Sequence, residues 1–132
     1  MKQTSNKESR LQRQLAKVYA IIDEKAHDEE RFCCWSCGSH EALSHSHILG
    51  RGSHKEFMLV IENIILQCSD CHTAWEHRDY GKIKAFKNLE YIFKYLAKTD
   101  TKVFWDVIES INFYIDTKTL ENEQKRQDEF MR

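Results

Sequence analysis

Two pairs of cysteines constrain this chain more than any other feature of its sequence. Cys34 and Cys37 form one pair and Cys68 and Cys71 the other, with two residues inside each pair and 30 residues between the pairs. The two-residue spacing allows one tight turn to present both sulfurs to a metal ion, and four sulfurs complete a closed tetrahedral site. We therefore predict a structural Zn²⁺ that closes a large loop and ties its ends together.

A fifth cysteine, Cys33, leaves another register open, because it could replace Cys34 as the partner of Cys37. The spacing of Cys34 equals that of the second pair, so Cys33 is predicted to lie outside the zinc site. Buried apolar cysteines or a redox pair are the alternatives to a metal site, and the presence of two pairs argues against both.

The same cysteines bear on the compartment. An odd number of cysteines that includes two close pairs is typical of metal binding in a reducing environment rather than of a disulfide framework. The first residues, MKQTSNKESRLQRQLAK, contain no apolar leader, and no apolar run approaches the roughly 18 residues that cross a bilayer. We expect a cytoplasmic protein without a membrane segment.

Length and charge limit the remaining classes. The 132 residues include 21 acidic and 20 basic side chains, for a formal net charge of -1. This balance excludes a uniformly basic polyanion binder, so any nucleic-acid surface must be local. The length fits a single domain covering residues 1–132.

Apolar residues at helical spacing flank the cysteine-rich middle. They predict an N-terminal helix within residues 1–31, spanning about residues 8–28, and two amphipathic helices within residues 81–118. Residues 119–132 are polar and are predicted to form a solvated helix or a frayed tail. The apolar helices outside the middle could build a homodimer interface.

The middle, residues 32–80, has a different pattern. The short apolar pieces ALSHSHIL and FMLVIENIIL, broken by Gly, Ser and His, predict two strands joined by a loop, and a helix is predicted to start near Cys71. The fold class is therefore α+β, with a small strand–loop–strand–helix core between α-helices and mostly helical content overall.

Histidines are concentrated in this core. His45 and His47 lie two residues apart on the first predicted strand and so share one face, whereas His72 and Glu76 lie one turn apart on the predicted helix. We expect strand and helix to bring these side chains to one cleft.

The segments CWSCGSHEALSHSHILGRG and ENIILQCSDCHTAWEH together resemble the HNH endonucleases of the ββα-metal class, especially the phage and bacterial branch with zinc knuckles. The match covers about residues 33–77 and depends on three anchors, His47, Asn63 and His72. The resemblance implies a ββα-metal core and a metal-dependent endonuclease that hydrolyses phosphodiester bonds in DNA.

By the same resemblance His47 would be the general base and Asn63 would brace the loop or orient His47. His72 would bind Mg²⁺ or another divalent ion that stabilises the transition-state phosphate. Glu76 and His45 are further candidate ligands of this catalytic ion.

Ser46 departs from the pattern of the resemblance. In many relatives the residue before the base is Asp or His and binds the metal, whereas a neutral hydroxyl is a poor ligand. His45 points to the other side of a regular strand, so recruiting it would require a bulge. The alternative function is a catalytically degenerate, zinc-stapled module that binds DNA or a protein partner.

Basic residues flank the predicted cleft. Arg51 and Lys55 lie in a glycine-containing loop after the first strand, and Arg78 and Lys82 follow the helix. Such local clusters can bind phosphates without reading sequence, and DNA is the predicted partner. An ordinary solvated charged surface is the competing interpretation.

Overall fold

The computed structural model describes residues 6–131, and for residues 116 and 117 it describes the backbone alone. Its elements follow in the order α1 (Asn6–Asp28), β1 (Leu43–His47), β2 (Ile64–Cys68), α2 (Ser69–Glu76), α3 (Tyr80–Ile83), α4 (Leu89–Thr99) and α5 (Thr101–Met131). The chain is mostly helical with one small sheet, as predicted. Across residues 6–131 no helix combines the length and apolar character that crossing a membrane requires.

The chain divides into two compact units, Met1–Thr73 and Ala74–Arg132. The first unit contains α1, the sheet and all five cysteines, and the second contains α3, α4 and α5. The assignment of residues 1–132 to a single domain stays a prediction.

The sheet is an antiparallel pair of strands. Its register runs without interruption from Leu43 opposite Cys68 to His47 opposite Ile64. Alternation along β1 therefore puts Ser44 and Ser46 on one face and the two histidines on the other. No bulge interrupts the strand that carries the candidate base.

The connection between the strands differs from the prediction. The apolar stretch that precedes Asn63 was expected to extend the second strand, but it forms two short 3-10 turns, Lys55–Phe57 and Ile61–Asn63. Its backbone groups are used in turn hydrogen bonds, from Met58 N–H to the Lys55 carbonyl and from Val60 N–H to the Phe57 carbonyl, and are therefore unavailable to a strand ladder. The second strand starts only at Ile64.

Helix α1 packs on one face of the sheet through an apolar stripe. Ile22 and Ala26 of the helix and Ile64 and Leu66 of β2 form a buried cluster, and three half-buried side chains, Val18, Tyr19 and Trp35, pack against it. The predicted N-terminal helix is confirmed, and it begins two residues earlier, at Asn6. Burial of this stripe is what stabilises a helix with so many charged residues.

The second unit is built from helices with an apolar interior. Its buried side chains include Ile83, Ile92, Leu96, Val107 and Ile111. The first of the two helices predicted within residues 81–118 corresponds to α4, which starts at Leu89. The second corresponds to α5, which starts at Thr101, and the Asp100 carboxylate accepts a hydrogen bond from the backbone N–H of Val103 at 3.1 Å, which is an N-cap.

Helix α5 continues through the polar C-terminal segment to Met131. Every residue from 118 to 131 is exposed, so of the two predicted forms of this segment the structure has the solvated helix.

Candidate zinc centre and histidine site

The four paired cysteines come together in the first unit. Their sulfurs, from Cys34, Cys37, Cys68 and Cys71, all lie within 4.8 Å of one another, and no disulfide joins them. The Cys37 and Cys68 sulfurs are 3.6 Å apart. A zinc–sulfur bond of about 2.3 Å in a tetrahedral site puts neighbouring sulfurs about 3.8 Å apart. The cluster therefore fits a metal ion such as Zn²⁺.

Local backbone geometry arranges each pair. After the first pair, Gly38 has a φ of 87°, a left-handed conformation that favours glycine, and its N–H donates to the Cys34 carbonyl at 2.8 Å. The N–H of Trp35 donates to the Leu66 carbonyl at 2.8 Å and so fixes this turn to β2. The second pair is placed by the junction of β2 with α2, because Cys68 ends the strand.

The pKa shifts of the clustered thiols favour a bound cation. Burial raises the pKa of Cys34, but backbone N–H groups of Cys68, Cys37 and Ser36 outweigh it and lower that pKa to about 7. Burial, together with the neighbouring thiols of Cys68 and Cys37, raises the pKa of Cys71. One thiolate thus forms readily while its neighbour resists ionisation, and a bound divalent ion would stabilise all four thiolates.

Cys33 lies outside the cluster. It is half-buried, and the cluster includes Cys34 in its place. Of the two registers left open by the sequence, the structure therefore has the one with two residues between the cysteines of each pair.

His47 is held at the end of β1. Its Nε2 lies 2.9 Å from the Met58 carbonyl oxygen, and since a carbonyl only accepts, Nε2–H is the donor. The neutral ring then carries its lone pair on Nδ1. Burial lowers the pKa of His47, and the charges of Arg51, His45 and His72 lower it further, against the Met58 hydrogen bond. The ring is therefore neutral near pH 7.

Asn63 is fully buried and holds the loop after β1. Its Oδ1 accepts from the Leu49 N–H at 2.8 Å, and its Nδ2 donates to the Leu49 carbonyl at 3.1 Å and to the Phe57 carbonyl at 3.2 Å. Three hydrogen bonds from one side chain fix both ends of the segment that carries Arg51 and Lys55. The side chain matches the bracing part of the predicted role.

His72 is held by a hydroxyl on β1. Ser44 Oγ donates its hydrogen to the Gln67 carbonyl at 3.2 Å and lies 2.9 Å from His72 Nδ1. Because that hydrogen is already used, Oγ accepts from Nδ1–H, and the neutral His72 ring has its lone pair on Nε2.

The residues predicted to bind the catalytic ion, His72, Glu76 and His45, do not form a cluster that could share one ion. Within residues 6–131 the cysteine cluster is the one group of three or more possible ligands close enough to share an ion. His45 lies on the sheet face opposite Ser44, and its Nε2 is 2.7 Å from Asp23 Oδ1. Glu76 lies exposed one turn beyond His72 on α2.

Ser46 lies on the same face as Ser44. Its side chain is 1% exposed, and its Oγ has no hydrogen-bond partner among the residues that the structure describes. A buried hydroxyl without a partner is uncommon in folded proteins.

The four predicted phosphate-binding residues differ in their surroundings. Arg51, Lys55 and Lys82 are exposed. The Arg78 guanidinium instead lies 4.0 Å from the centre of the Trp75 ring and donates to the Trp75 carbonyl at 2.7 Å, and burial lowers its pKa. Arg78 therefore closes the end of α2, whereas the other three face solvent.

The sequence interpretation missed the groups that contact the histidines, three of them side chains and one a backbone carbonyl. Ser44, the Met58 carbonyl, Tyr19 and Asp23 have no motif of their own. The available signal was spacing: Tyr19 and Asp23 are four residues apart at the edge of the apolar stripe of α1, so they face a common neighbour.

Comparison of the chain with family models, with curated proteins and with solved structures finds no match.

Proposed function

We propose that this protein is a metal-dependent endonuclease of the HNH type, with a zinc-stapled ββα-metal core that hydrolyses phosphodiester bonds in DNA. The observation that carries the proposal is the state of two imidazoles. His47 and His72 are each tied at one ring nitrogen, by Met58 and Ser44 respectively, so that each neutral ring has its lone pair on the other nitrogen. In the proposed mechanism one of these rings would act as the base and the other as a metal ligand.

His47 would act as the general base. Its lone pair on Nδ1 takes a proton from the water that attacks phosphorus, and its lowered pKa keeps it unprotonated near neutral pH. The hydrogen bond from Nε2 to the Met58 carbonyl holds the ring in this tautomer and stabilises the positive charge that the ring gains with the proton.

Asn63 would keep the substrate-binding loop in place. It fixes the backbone at Leu49 and Phe57, and between these residues Arg51 and Lys55 extend into solvent. Their charges would pair with DNA phosphates, so binding should weaken steeply as salt rises.

His72 would hold the catalytic ion. A divalent ion bound there would supply positive charge to the phosphate oxygens and the leaving oxygen. The His72 imidazole fits an ion that accepts nitrogen ligands, such as Zn²⁺, better than Mg²⁺, which prefers carboxylate oxygens.

The test is nicking of supercoiled plasmid by the zinc-loaded chain, with Mg²⁺ and Mn²⁺ added in parallel. His47→Ala should lower the nicking rate by about 10²- to 10⁴-fold. His40→Ala removes an exposed histidine and is the matched control. Equal nicking by wild type and His47→Ala would contradict the proposal.

Ser46 favours a second candidate, a zinc-stapled module that binds DNA or a protein partner without cutting. Its neutral, fully buried hydroxyl stands where the resemblance expects a metal-binding carboxylate or imidazole. Ser46→Asp discriminates between the two functions. If the face can hold an ion, Mn²⁺ should raise the melting temperature of Ser46→Asp much more than that of wild type. A variant that is destabilised and insensitive to Mn²⁺ would favour the binding module.

A further inference from the structure

Helix α1 contacts the histidine face of β1 with two side chains at the edge of its apolar stripe, Tyr19 and Asp23. Asp23 Oδ1 lies 2.7 Å from His45 Nε2. The Tyr19 ring stacks on the His45 ring, with centres 4.1 Å apart and planes within 1° of parallel. His45 is thus held at its edge by a carboxylate and on its face by an aromatic ring, and the two contacts leave its ring little freedom to turn.

The chemistry of the contact also sets the tautomer of His45. An ionised carboxylate only accepts, so Nε2–H donates to Asp23, and the neutral ring carries its lone pair on Nδ1. The side chains of His45 and Asp23 are 22% and 35% exposed, so the pair is partly shielded from water. Charge-assisted hydrogen bonds of this length are stronger than neutral ones.

The same tyrosine connects this pair to the candidate base. The Tyr19 ring meets His47 edge-on, with ring centres 6.2 Å apart and an angle of 67°. His45 and His47 are on one face of β1, so Tyr19 packs against both. The His47 ring thus contacts the Tyr19 ring and is hydrogen-bonded at Nε2 to the Met58 carbonyl.

We infer that Tyr19 and Asp23 are positioning residues. Together they fix the His45 ring, and the Tyr19 ring, which contacts both histidines, sets the orientation of His47. Helix α1, which lies outside the strand–loop–strand–helix core, is then part of the site rather than a cover over it. The effect on catalysis rests on the proposed function, whereas the positioning itself is a property of the folded chain. If α1 docked by apolar contact alone, Ile22 and Ala26 would suffice and Asp23 would be dispensable.

The first experiment reads the tautomer of His45 directly, from the imidazole ¹⁵N chemical shifts of the zinc-loaded chain at about pH 8, where neutral rings dominate. Wild type should show the Nε2–H form. Asp23→Ala should shift His45 toward a mixture, because Nε2–H loses its acceptor, while Asp23→Asn should keep the wild-type form, because its amide oxygen still accepts. Glu24→Ala removes an exposed carboxylate from the same turn as the control. Unchanged His45 shifts in Asp23→Ala would overturn the inference.

The second experiment tests the role of the Tyr19 ring. Tyr19→Phe retains the ring and should leave the His45 and His47 resonances close to those of wild type. Tyr19→Leu removes the aromatic ring, and with it the ring current and the contact with both histidines. The resonances of His45 and His47 should therefore shift. If His47 does not respond to Tyr19→Leu, the coupling between the two histidines is wrong. Thermal unfolding of each variant shows whether it is folded, and Tyr19→Phe and Asp23→Asn are the conservative variants that retain the packing.

The third experiment follows plasmid nicking by the same variants. Asp23→Ala should lower kcat on the order of 10- to 100-fold with little change in KM, because it disturbs orientation rather than DNA binding, and Asp23→Asn should restore it. Wild-type nicking by Asp23→Ala despite altered His45 shifts would overturn the catalytic part of the inference. If wild type itself does not nick, the proposed function fails, and the two NMR experiments still decide the positioning.

Discussion

The two compact units of this protein bury different kinds of side chain. Among the described residues the buried polar side chains, Ser36, Ser46, His47, Asn63 and Gln67, all belong to the first unit, Met1–Thr73. The interior of the second unit, Ala74–Arg132, is apolar and aromatic. Burying polar groups is unfavourable unless they are hydrogen-bonded, so the first unit depends on satisfied partners and on its sulfur cluster. The second unit depends mainly on the burial of apolar side chains.

This difference locates the candidate function. A unit that buries Asn63, His47 and Ser36 in hydrogen bonds gains little stability from them, but it holds these polar groups in defined places. Catalysis and metal binding need such fixed polar atoms. The helices of the second unit have the composition of a scaffold, and the two units should therefore fail in different ways.

The largest expected effect is loss of the metal. Cys68→Ser should abolish binding of one Zn²⁺ per chain and unfold the first unit, since structural zinc contributes about 10 kcal/mol or more in small zinc modules. The second unit contains no cysteine and should keep its helices. Elemental analysis and the dispersion of backbone amide resonances measure the two effects. Cys33→Ser, outside the cluster, should change neither, and a folded, zinc-free Cys68→Ser would contradict this view.

A cavity in the second unit should lower the stability of the chain without changing its zinc content. Leu96 is 0% exposed, so Leu96→Ala should lower the free energy of unfolding by about 2 to 5 kcal/mol. The zinc content should stay at that of wild type. Leu120→Ala changes a leucine that is 67% exposed and should shift stability by less than about 0.5 kcal/mol. Loss of zinc in Leu96→Ala would show that the two units do not fail separately.

A smaller effect is expected from the buried amide. Asn63→Ala leaves the Leu49 N–H and the Leu49 and Phe57 carbonyls without their partner, at a cost of about 1 to 3 kcal/mol for an unsatisfied buried group. Hydrogen exchange should speed up in the loop between the strands more than in β2. Asn112→Ala, an exposed asparagine of α5, is the control. Uniformly faster exchange throughout the first unit would contradict a local brace.

The smallest effect is the pH dependence of His47. Its folded pKa is lowered from 6.5, mainly by burial, so below about pH 6.5 the unfolded chain binds this proton more readily than the folded one. The stabilising contribution is therefore complete above pH 6.5 and is lost as pH falls toward the folded pKa. Denaturant unfolding at about pH 7.5 and 5.5 should show a steeper loss for wild type than for His47→Ala. Identical slopes would contradict the shift.

The sequence predicted those features that follow from spacing. Two residues between cysteines predicted the sulfur cluster, and apolar periodicity predicted α1 and the amphipathic helices within residues 81–118. Short-range patterns could not predict partners distant in sequence: Asp23 and His45 are 22 residues apart, and Ser44 and His72 are 28. The apolar stretch before Asn63 was misassigned because local turn hydrogen bonds, which apolar patterning does not reveal, use its backbone groups. The homodimer stays a prediction, since only one chain is described.

The sulfur cluster has a consequence for how the protein matures. Cys37 and Cys68 are 31 positions apart, and bringing the ends of such a segment together costs about 3 kcal/mol of chain entropy before any contact is made. If the cluster binds zinc, capture of the ion would offset that entropy, and the hairpin should form only as fast as zinc is supplied. Without zinc, α4 and α5 of the second unit should still pair, while the histidines of the first unit stay unplaced.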